Sequence, residues 1–262
     1  SVKQQPRRKI SVNTQPTSQN ATLLGTLYAL AAFIAWGLLP AYWKLLQQVP
    51  SPEILVHRIF WSFVFVSVVL LAKGQWSILL RPLADKQQRL GILISTVLIS
   101  SNWFIYIWAV NSEHIVEASL GYYINPLFCV FLGVVVFRER LGFLEVISIG
   151  LAAIGVIFLT LKYGCIPWIA LSLTFTFGLY GLSKKLVPVG SLIALGLETL
   201  LVSPLCLLYM GVHAYNDTGA FGTISWRVTF LLVLAGVVTA LPLLWFAQAA
   251  KLIPLSRVGF IQ

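Results

Sequence analysis

The stretch VEASLGYYINPLFCVFLGVVVF, residues 116–137, carries one charged side chain, Glu117, in 22 positions. A helix rises 1.5 Å per residue, so a segment of this length can cross the roughly 30 Å hydrocarbon core of a bilayer. Such a low charge over this length is typical of a membrane-spanning helix.

The composition of the whole chain agrees with this interpretation. Of its 262 residues, 58% are hydrophobic and 10% are charged, against roughly 45–50% and about 25% in soluble domains. The mean hydropathy is +0.88, which a single anchor cannot supply because one span uses only about 20 residues. The sequence predicts an all-α polytopic membrane protein and excludes a soluble globular domain.

Eight apolar stretches are long enough to cross a bilayer as helices. They run at about residues 23–42, 54–71, 90–110, 116–137, 143–161, 167–182, 192–209 and 228–249. A further apolar segment, residues 256–262, begins a ninth span. The predicted architecture is therefore a helix bundle of eight spans and the start of a ninth.

The basic residues separate onto alternating connections between the spans. If the N-terminus is inside, 14 Lys and Arg residues fall in cytoplasmic segments and 3 fall in outer loops. Cytoplasmic loops carry an excess of Lys and Arg, so the pattern predicts a cytoplasmic N-terminus. It also explains most of the net charge of +10 without a nucleic-acid partner. Residues 1–22 are then a cytoplasmic tail, with an organelle transit peptide as the alternative, because residues 1–20 are basic and acid-free.

A weak internal repeat relates the two halves of the chain. A shift of 141 residues places Gly37 on Gly178, and a shift of 138 places Gly121 on Gly259. A unit of five spans crosses the membrane an odd number of times, so its second copy is inverted, an arrangement typical of transporters. We expect a five-plus-five inverted repeat, with residues 23–162 as the first unit and 163–262 as an incomplete second, in a chain truncated after the start of its ninth span.

Charged side chains inside predicted spans are candidates for a transport pathway, because a charge at mid-bilayer costs roughly 2.5–3.5 kcal/mol on insertion scales. Glu198 lies about seven residues, or roughly 10 Å, inside the seventh span and is a candidate for a substrate or proton pathway. Arg58, in the second span, is a candidate whose alternative is a side chain that extends to the interface. His57 is either a proton carrier or a neutral histidine bonded between helices. Glu117 is either a pathway residue or an interfacial acid.

The run 117–126 has the highest density of polar and special residues. Pro126 lacks an amide donor and clashes with the carbonyl four residues before it, so we expect a helix break there, with a simple bend of the helix as the alternative. Broken helices expose backbone polar groups at membrane-embedded binding sites, and Tyr122 and Asn125 could add side-chain contacts to such a site. Three further polar or aromatic candidates for the pathway are Trp61, Asn102 and Gln248.

No catalytic or metal-binding arrangement is found in the sequence. The three cysteines, Cys129, Cys165 and Cys206, are an odd number in unlike apolar contexts and are predicted to be free thiols. The only two Asp residues, Asp85 and Asp217, fall in loops, and the histidines lack metal-ligand spacing. We therefore predict no catalytic residues, no metal and no cofactor.

Short motifs, mostly in the first half, recur in one group of transporters. They are AWG (35–37) with PAYWK (40–44), EILVHR (53–58) with WS (61–62), NW (102–103) with WAVN (108–111), the run 117–127 and RER (138–140). From about residue 25 to the end, the chain resembles the RarD subfamily of the EamA group in the drug/metabolite transporter superfamily. The resemblance implies a ten-helix permease of the inner (plasma) membrane, with a central cavity and both termini in the cytoplasm. Members are often described as chloramphenicol-sensitivity proteins, a name that establishes no substrate.

The sequence and the resemblance together predict a secondary transporter that moves a small metabolite or drug by alternating access. Its partners are a small-molecule substrate and the lipid bilayer, while proton coupling and a homodimer are left open. A non-transporting scaffold or sensor is the first alternative. An intramembrane enzyme is the second, although it lacks a catalytic constellation in this sequence.

Overall fold

The computed structural model describes residues 19–164 and 166–262. Most of the expected cytoplasmic tail and the predicted free thiol Cys165 therefore lie outside the described residues. The described chain forms α-helices and two short 3₁₀ turns and contains no strand, which confirms the predicted all-α class. The helices are α1 (Gln19–Lys44), α2 (Ser51–Ala72), α3 (Lys86–Asn111), α4 (Ile115–Phe137), α5 (Phe143–Tyr163), α6 (Trp168–Leu186), α7 (Ser191–Tyr215), α8 (Trp226–Leu252) and α9 (Leu255–Ile261).

Among the described residues, seven helices are long and apolar enough to cross a membrane, namely all except α6 and α9. The protein is therefore a polytopic membrane protein. The predicted sixth span, now α6, does not meet that criterion of length and composition, although it packs between α3 and α4. Both Tyr180 and Lys184 of this helix are buried. A helix covered by its neighbours does not need an apolar surface on every side.

Local signals in the sequence fix several helix ends. The side chain of Asp85 accepts a hydrogen bond of 2.8 Å from the backbone N–H of Gln88 at the start of α3. Ser225 does the same for Val228, at 3.2 Å, at the start of α8. Such N-caps satisfy amide donors that have no partner within the helix. At the end of α4, Arg138 adopts a left-handed conformation with φ of 54° and turns the chain out of the helix.

The helix α4 runs from Ile115 to Phe137 with Pro126 inside it, so the chain stays helical on both sides of the proline. Prolines are tolerated in membrane helices when neighbouring groups satisfy the freed backbone atoms. Here the hydroxyl of Thr174 in α6 donates a hydrogen bond of 3.0 Å to the carbonyl of Gly121. The carbonyl that Pro126 leaves without an amide partner is the next one, that of Tyr122. The Thr174 hydrogen bond therefore joins α6 to α4 beside this position.

The helix α2 is held closely against α8 near the centre of the bundle. A Cβ atom at Gly236 of α8 would lie 2.2 Å from the carbonyl carbon of Trp61, so only glycine permits this approach. The hydroxyl of Ser62 donates a hydrogen bond of 2.8 Å to the carbonyl of Gly236 across the same crossing. Small residues of this kind let membrane helices pack at short range. The position of α2 is therefore tightly fixed.

Candidate functional site

A cavity of about 740 Å³ lies between the helices, bordered by α1, α2, α3, α4, α5, α6 and α8 and by Gln262 after α9. Ligand pockets for small organic molecules typically measure about 300–1,000 Å³, so this space can hold one. Eight of its lining residues are aromatic. The rings that line it belong to Phe33, Trp36, Trp43, Trp103, Tyr106, Tyr122, Tyr123 and Phe177.

The cavity occupies one half of the bundle. Most of its lining residues come from the C-terminal halves of α1 and α3 and from the N-terminal halves of α2, α4 and α6. Successive spanning helices run in opposite directions, so these halves lie at the same end. We call this end, which includes the α1–α2 loop 45–50, the cavity end. The opposite end, which includes the α6–α7 loop 187–190, is the closed end.

Arg58 is the one charged residue among those that line the cavity in the described chain. Its guanidinium carbon lies 4.9 Å from the ring centroid of Trp103 and 5.5 Å from that of Trp43, within the range of cation–π attraction. Its Nε atom is buried without a hydrogen-bond partner among the described residues, and no described carboxylate forms an ion pair with it. Charges inside membrane proteins usually have a partner or face a cavity, and Arg58 faces a cavity.

Two neutral groups in the cavity wall also have free hydrogen-bonding capacity within the described structure. The side-chain carbonyl of Asn125 and the hydroxyl of Thr239 are buried and lack a partner. The amide nitrogen of Asn125 donates to Gln262 at 2.7 Å, which fixes the direction of its side chain. Buried polar atoms are normally satisfied in native structures. The protein therefore leaves the hydrogen-bonding capacity of these atoms and of Arg58 Nε unused, on side chains that line the cavity.

Tyr122 and Asn102 are two further predicted residues that line the cavity. The Tyr122 ring packs edge to face against Tyr106, with centroids 6.2 Å apart. The Asn102 amide donates to the Leu173 carbonyl at 3.0 Å and to the Thr176 hydroxyl at 2.8 Å, so it also joins α3 to α6. Tyr122 forms wall surface, whereas Asn102 has a structural contact in addition.

Glu198 lies at the closed end, apart from the cavity. Its Oε1 atom is 2.5 Å from Lys184 Nζ and accepts a hydrogen bond from the Ser95 hydroxyl, while Tyr180 donates to Oε2 at 3.3 Å. Glu198 and Lys184 are only 2% and 3% exposed. The space beside them measures about 10 Å³, room for about one water molecule at most. The carboxylate is thus fully engaged with protein groups.

Other cations at the closed end bind backbone carbonyls. Lys251 donates to the carbonyl of Val189, and Lys185 donates to that of Ile253 at 2.6 Å. Glu139 accepts hydrogen bonds of 2.9 Å from two backbone amides at the start of α9. These contacts join α4, α6, α8, α9 and the loop before α7. Polar contacts therefore hold the helices together at the closed end, whereas the helices leave a space between them at the cavity end.

His57 and Trp61 face the α7–α8 loop and do not line the cavity. The His57 ring stacks on Phe221 with centroids 4.8 Å apart, and Trp61 Nε1 donates to His57 Nδ1 at 3.3 Å. Glu53 lies 3.9 Å from His57 Nε2 and accepts a 2.7 Å hydrogen bond from the backbone N–H of Ala220. Since Trp61 occupies Nδ1, a neutral His57 ring carries its proton on Nε2. This group attaches the loop to α2.

Residues 23–161, more than half of the chain, match the EamA-like transporter family. The chain belongs to this family. It is 49% identical over 245 residues to the "Uncharacterized transporter YojE" of Bacillus subtilis (strain 168), which covers 92% of this chain and 81% of that protein. It is 41% identical over 241 residues to "Protein RarD" of Escherichia coli (strain K12), with the same two shares, 92% and 81%.

A solved structure, described as the crystal structure of a protein, has the same fold as this EamA-family chain. The TM-score is 0.63 at 16% identity, and the match covers 92% of this chain and 82% of that one. The relatives support the resemblance to the RarD subfamily, and they establish that the protein is a membrane transporter. Their names are consistent with the expectation that the chain is not an enzyme.

Only some of the pathway residues predicted from the sequence line the cavity. Glu117 is buried at the start of α4 and Gln248 is exposed on α8, and neither lines the cavity. The pathway roles of all these residues stay predictions. The structure brings Arg58, Asn102, Tyr122, Asn125 and Pro126 to the cavity, and it does not bring Glu198, His57, Trp61, Glu117 or Gln248 there.

Three residues with prominent contacts in this EamA-family structure are not among those predicted from the sequence. Trp43 and Trp103, which hold Arg58, appear there only inside the motifs 40–44 and 102–103. Lys184 is assigned to a cytoplasmic segment, yet it is buried with Glu198. A signal for its burial does exist, because Lys184 lies four residues after Tyr180 and therefore on the same face of α6.

Proposed function

We propose that this protein is a secondary transporter that moves a small metabolite or drug across the inner (plasma) membrane by alternating access, with the cavity as its binding site. The observation that carries the proposal is the cavity of about 740 Å³ with Arg58 in its wall. A charge that lacks an ion-pair partner among the described residues costs free energy inside a membrane. A binding role for Arg58 accounts for that cost.

The contrast between the two ends of the bundle supports alternating access. The cavity end has room for a ligand, whereas the closed end is held by Lys184, Lys185 and Lys251 and their partners. A transporter of this kind needs one end open while the other is closed, and the two must exchange. We propose that transport breaks the contacts at the closed end and closes the cavity end.

The helix pairings support an inverted repeat of residues 23–162 and 163–262. If α1, α2, α3 and α4 are exchanged with α6, α7, α8 and α9, the five most extensive helix contacts are each converted into an observed contact, whereas the smaller contact of α6 with α8 has no comparable counterpart between α1 and α3. The contact of α1 with α8 becomes that of α6 with α3, and α2 with α7 and α4 with α9 are each converted into themselves. Related halves of this kind allow one to move against the other.

The charge distribution supports a cytoplasmic N-terminus. Lys and Arg are concentrated in the segments that this orientation assigns to the cytoplasm, 14 against 3. In this orientation the closed end faces the cytoplasm and the cavity end faces the outside. The proposed state is therefore outward-open.

The test is transport by the purified chain in lipid vesicles. Saturable flux is measured for chloramphenicol, phenylalanine, phenethylamine and 3-phenylpropanoate, with and without a proton gradient. A cysteine at Ser119, on the cavity wall, is then labelled with a bulky maleimide in a background that lacks the native cysteines. We expect labelling to abolish flux. The matched control is Ser148→Cys, on the exposed surface of α5, where labelling should leave flux unchanged.

The outcomes separate the alternatives. Saturable flux that only the Ser119 label blocks supports a transporter with its path through the cavity. If the proton gradient changes the flux, transport is coupled to protons. Glu198 and His57 are then the first residues to replace. Absence of flux for every compound in folded protein would favour the scaffold or sensor. The mass of the purified protein, measured after its detergent has been removed, tests whether it forms a homodimer.

A further inference from the structure

We infer that the cavity binds an organic monoanion, whose carboxylate pairs with Arg58 and whose flat apolar body lies against the aromatic walls. The transport of this anion rests on the proposed function, whereas its binding does not. The first support is the charge of the wall. Arg58 is its one charged residue, and no Asp, Glu, Lys or His lines the described cavity. A ligand with one negative charge neutralises that wall.

The geometry around Arg58 suits a carboxylate. Guanidinium presents planar pairs of N–H donors that match the two oxygens of a carboxylate. The rings of Trp43 and Trp103, at 5.5 Å and 4.9 Å from the guanidinium carbon, restrict its position before a ligand arrives. An oriented cation loses less conformational freedom on binding than a mobile one. Its Nε donor is buried without a partner among the described residues, so the protein itself leaves part of the donor capacity of the guanidinium unused.

The remaining wall argues against an added ammonium group. The other unsatisfied atoms that border the cavity are the Asn125 carbonyl and the Thr239 hydroxyl, both neutral. They can bind a hydroxyl or an amide of the ligand. A charge removed from water needs an opposite charge to offset its lost hydration, and this wall provides none for a cation. Monoanions should therefore bind more tightly than zwitterionic amino acids or amines of the same size.

The experiment compares four compounds that share one aromatic body. These are 3-phenylpropanoate, the neutral 3-phenylpropanamide, the zwitterion phenylalanine and the cation phenethylamine. Radiolabelled 3-phenylpropanoate is bound to the purified full chain in nanodiscs, and the other three compete with it. We expect the carboxylate to bind at least about tenfold more tightly than each competitor, the scale of one hydrogen bond to a charged group. Equal or tighter binding of the amide or of phenylalanine would overturn the inference.

Variants at Arg58 locate the site. We expect Arg58→Gln to weaken carboxylate binding at least about tenfold and to leave the weak binding of the amide unchanged, which also shows that the variant is folded. Arg58→Lys keeps the charge but loses the planar donor pair, and we expect an intermediate affinity. The control is Arg227→Gln, an exposed cation at the same end, which should leave binding unchanged. Carboxylate binding that survives Arg58→Gln would overturn the assignment.

Binding and flux together separate this inference from the proposed function. Tight binding of 3-phenylpropanoate without flux supports the monoanion site and contradicts transport. Saturable flux of phenylalanine or phenethylamine, with weak binding of the carboxylate, supports transport and overturns the monoanion site. Flux and tight binding of the carboxylate alone support both.

Discussion

Arg58 and Lys184 are two cations inside the same helix bundle, and their surroundings differ. Lys184 lies 2.5 Å from the carboxylate of Glu198, in a region with only about 10 Å³ of free space. Arg58 lies between two tryptophan rings, has no carboxylate partner among the described residues, and faces about 740 Å³. One cation is satisfied by the protein, and the other is not.

The difference shows how a charge inside a membrane protein can be assigned a role. A buried ion pair can offset the cost of desolvating both groups, so its presence requires no ligand. A cation that only aromatic rings support retains unused hydrogen-bond donors, and those donors indicate a ligand. Both charges lie within helices, but only Arg58 carries a binding proposal.

The largest effect on stability should come from breaking the pair at the closed end. Lys184→Met leaves the buried Glu198 carboxylate without its cation, and removal of one partner from a buried pair costs about 3–5 kcal/mol. We expect the free energy of unfolding in mixed micelles to fall by about that amount. The double variant Lys184→Met/Glu198→Met should recover most of the loss. Equal losses in the single and double variants would show that the loss does not come from leaving the carboxylate unpaired.

A smaller effect should follow from disturbing the crossing that positions Arg58. Gly236→Ala places a methyl group 2.2 Å from the backbone of Trp61, and overpacking of this kind costs about 1–3 kcal/mol. Because α2 must shift, we expect both stability and flux to fall. Gly150→Ala in α5 is the control, since nothing lies within 4 Å of the added atom. A loss in the control as large as that at Gly236 would rule out the crossing as the cause.

Two threonines extend the comparison to neutral groups. The Thr174 hydroxyl donates to the Gly121 carbonyl, whereas the Thr239 hydroxyl has no partner among the described residues. Thr174→Val should lower the free energy of unfolding by about 1 kcal/mol, the worth of one buried hydrogen bond. Thr239→Val should not lower it, since no protein hydrogen bond is lost. Thermal unfolding of both variants measures the two changes. A larger loss of stability in Thr239→Val than in Thr174→Val would mean that the Thr239 hydroxyl stabilises the folded protein.

Much of the fold could be predicted from the sequence because hydropathy determines which segments lie in the bilayer. The predicted fourth span, 116–137, differs from α4 by one residue at its start. The predicted seventh span, 192–209, ends earlier than α7 at Tyr215 because Gly211 and His213 weaken the apolar pattern in the last turns. Membrane insertion determines the segment, while the exact end of each helix depends on local capping.

The site was less predictable because it depends on which face of each helix turns inward. His57 and Arg58 are neighbours in sequence, yet a helix separates them by about 100°, and only Arg58 lines the cavity. The burial of Glu198 follows from its depth in a span. Its partner Lys184 is on another helix, 14 residues earlier, and only the tertiary fold brings the two charges together.

The most direct test of the account is to measure flux and stability on the same variant, Arg58→Gln. Loss of the cation–π contacts costs on the order of 1 kcal/mol, and removal of a buried charge without an ion-pair partner offsets part of that cost. We therefore expect the free energy of unfolding to change by less than about 1 kcal/mol while saturable flux disappears. Flux at the level of the unmodified protein, with the variant folded, would contradict the claim that substrate binds at Arg58.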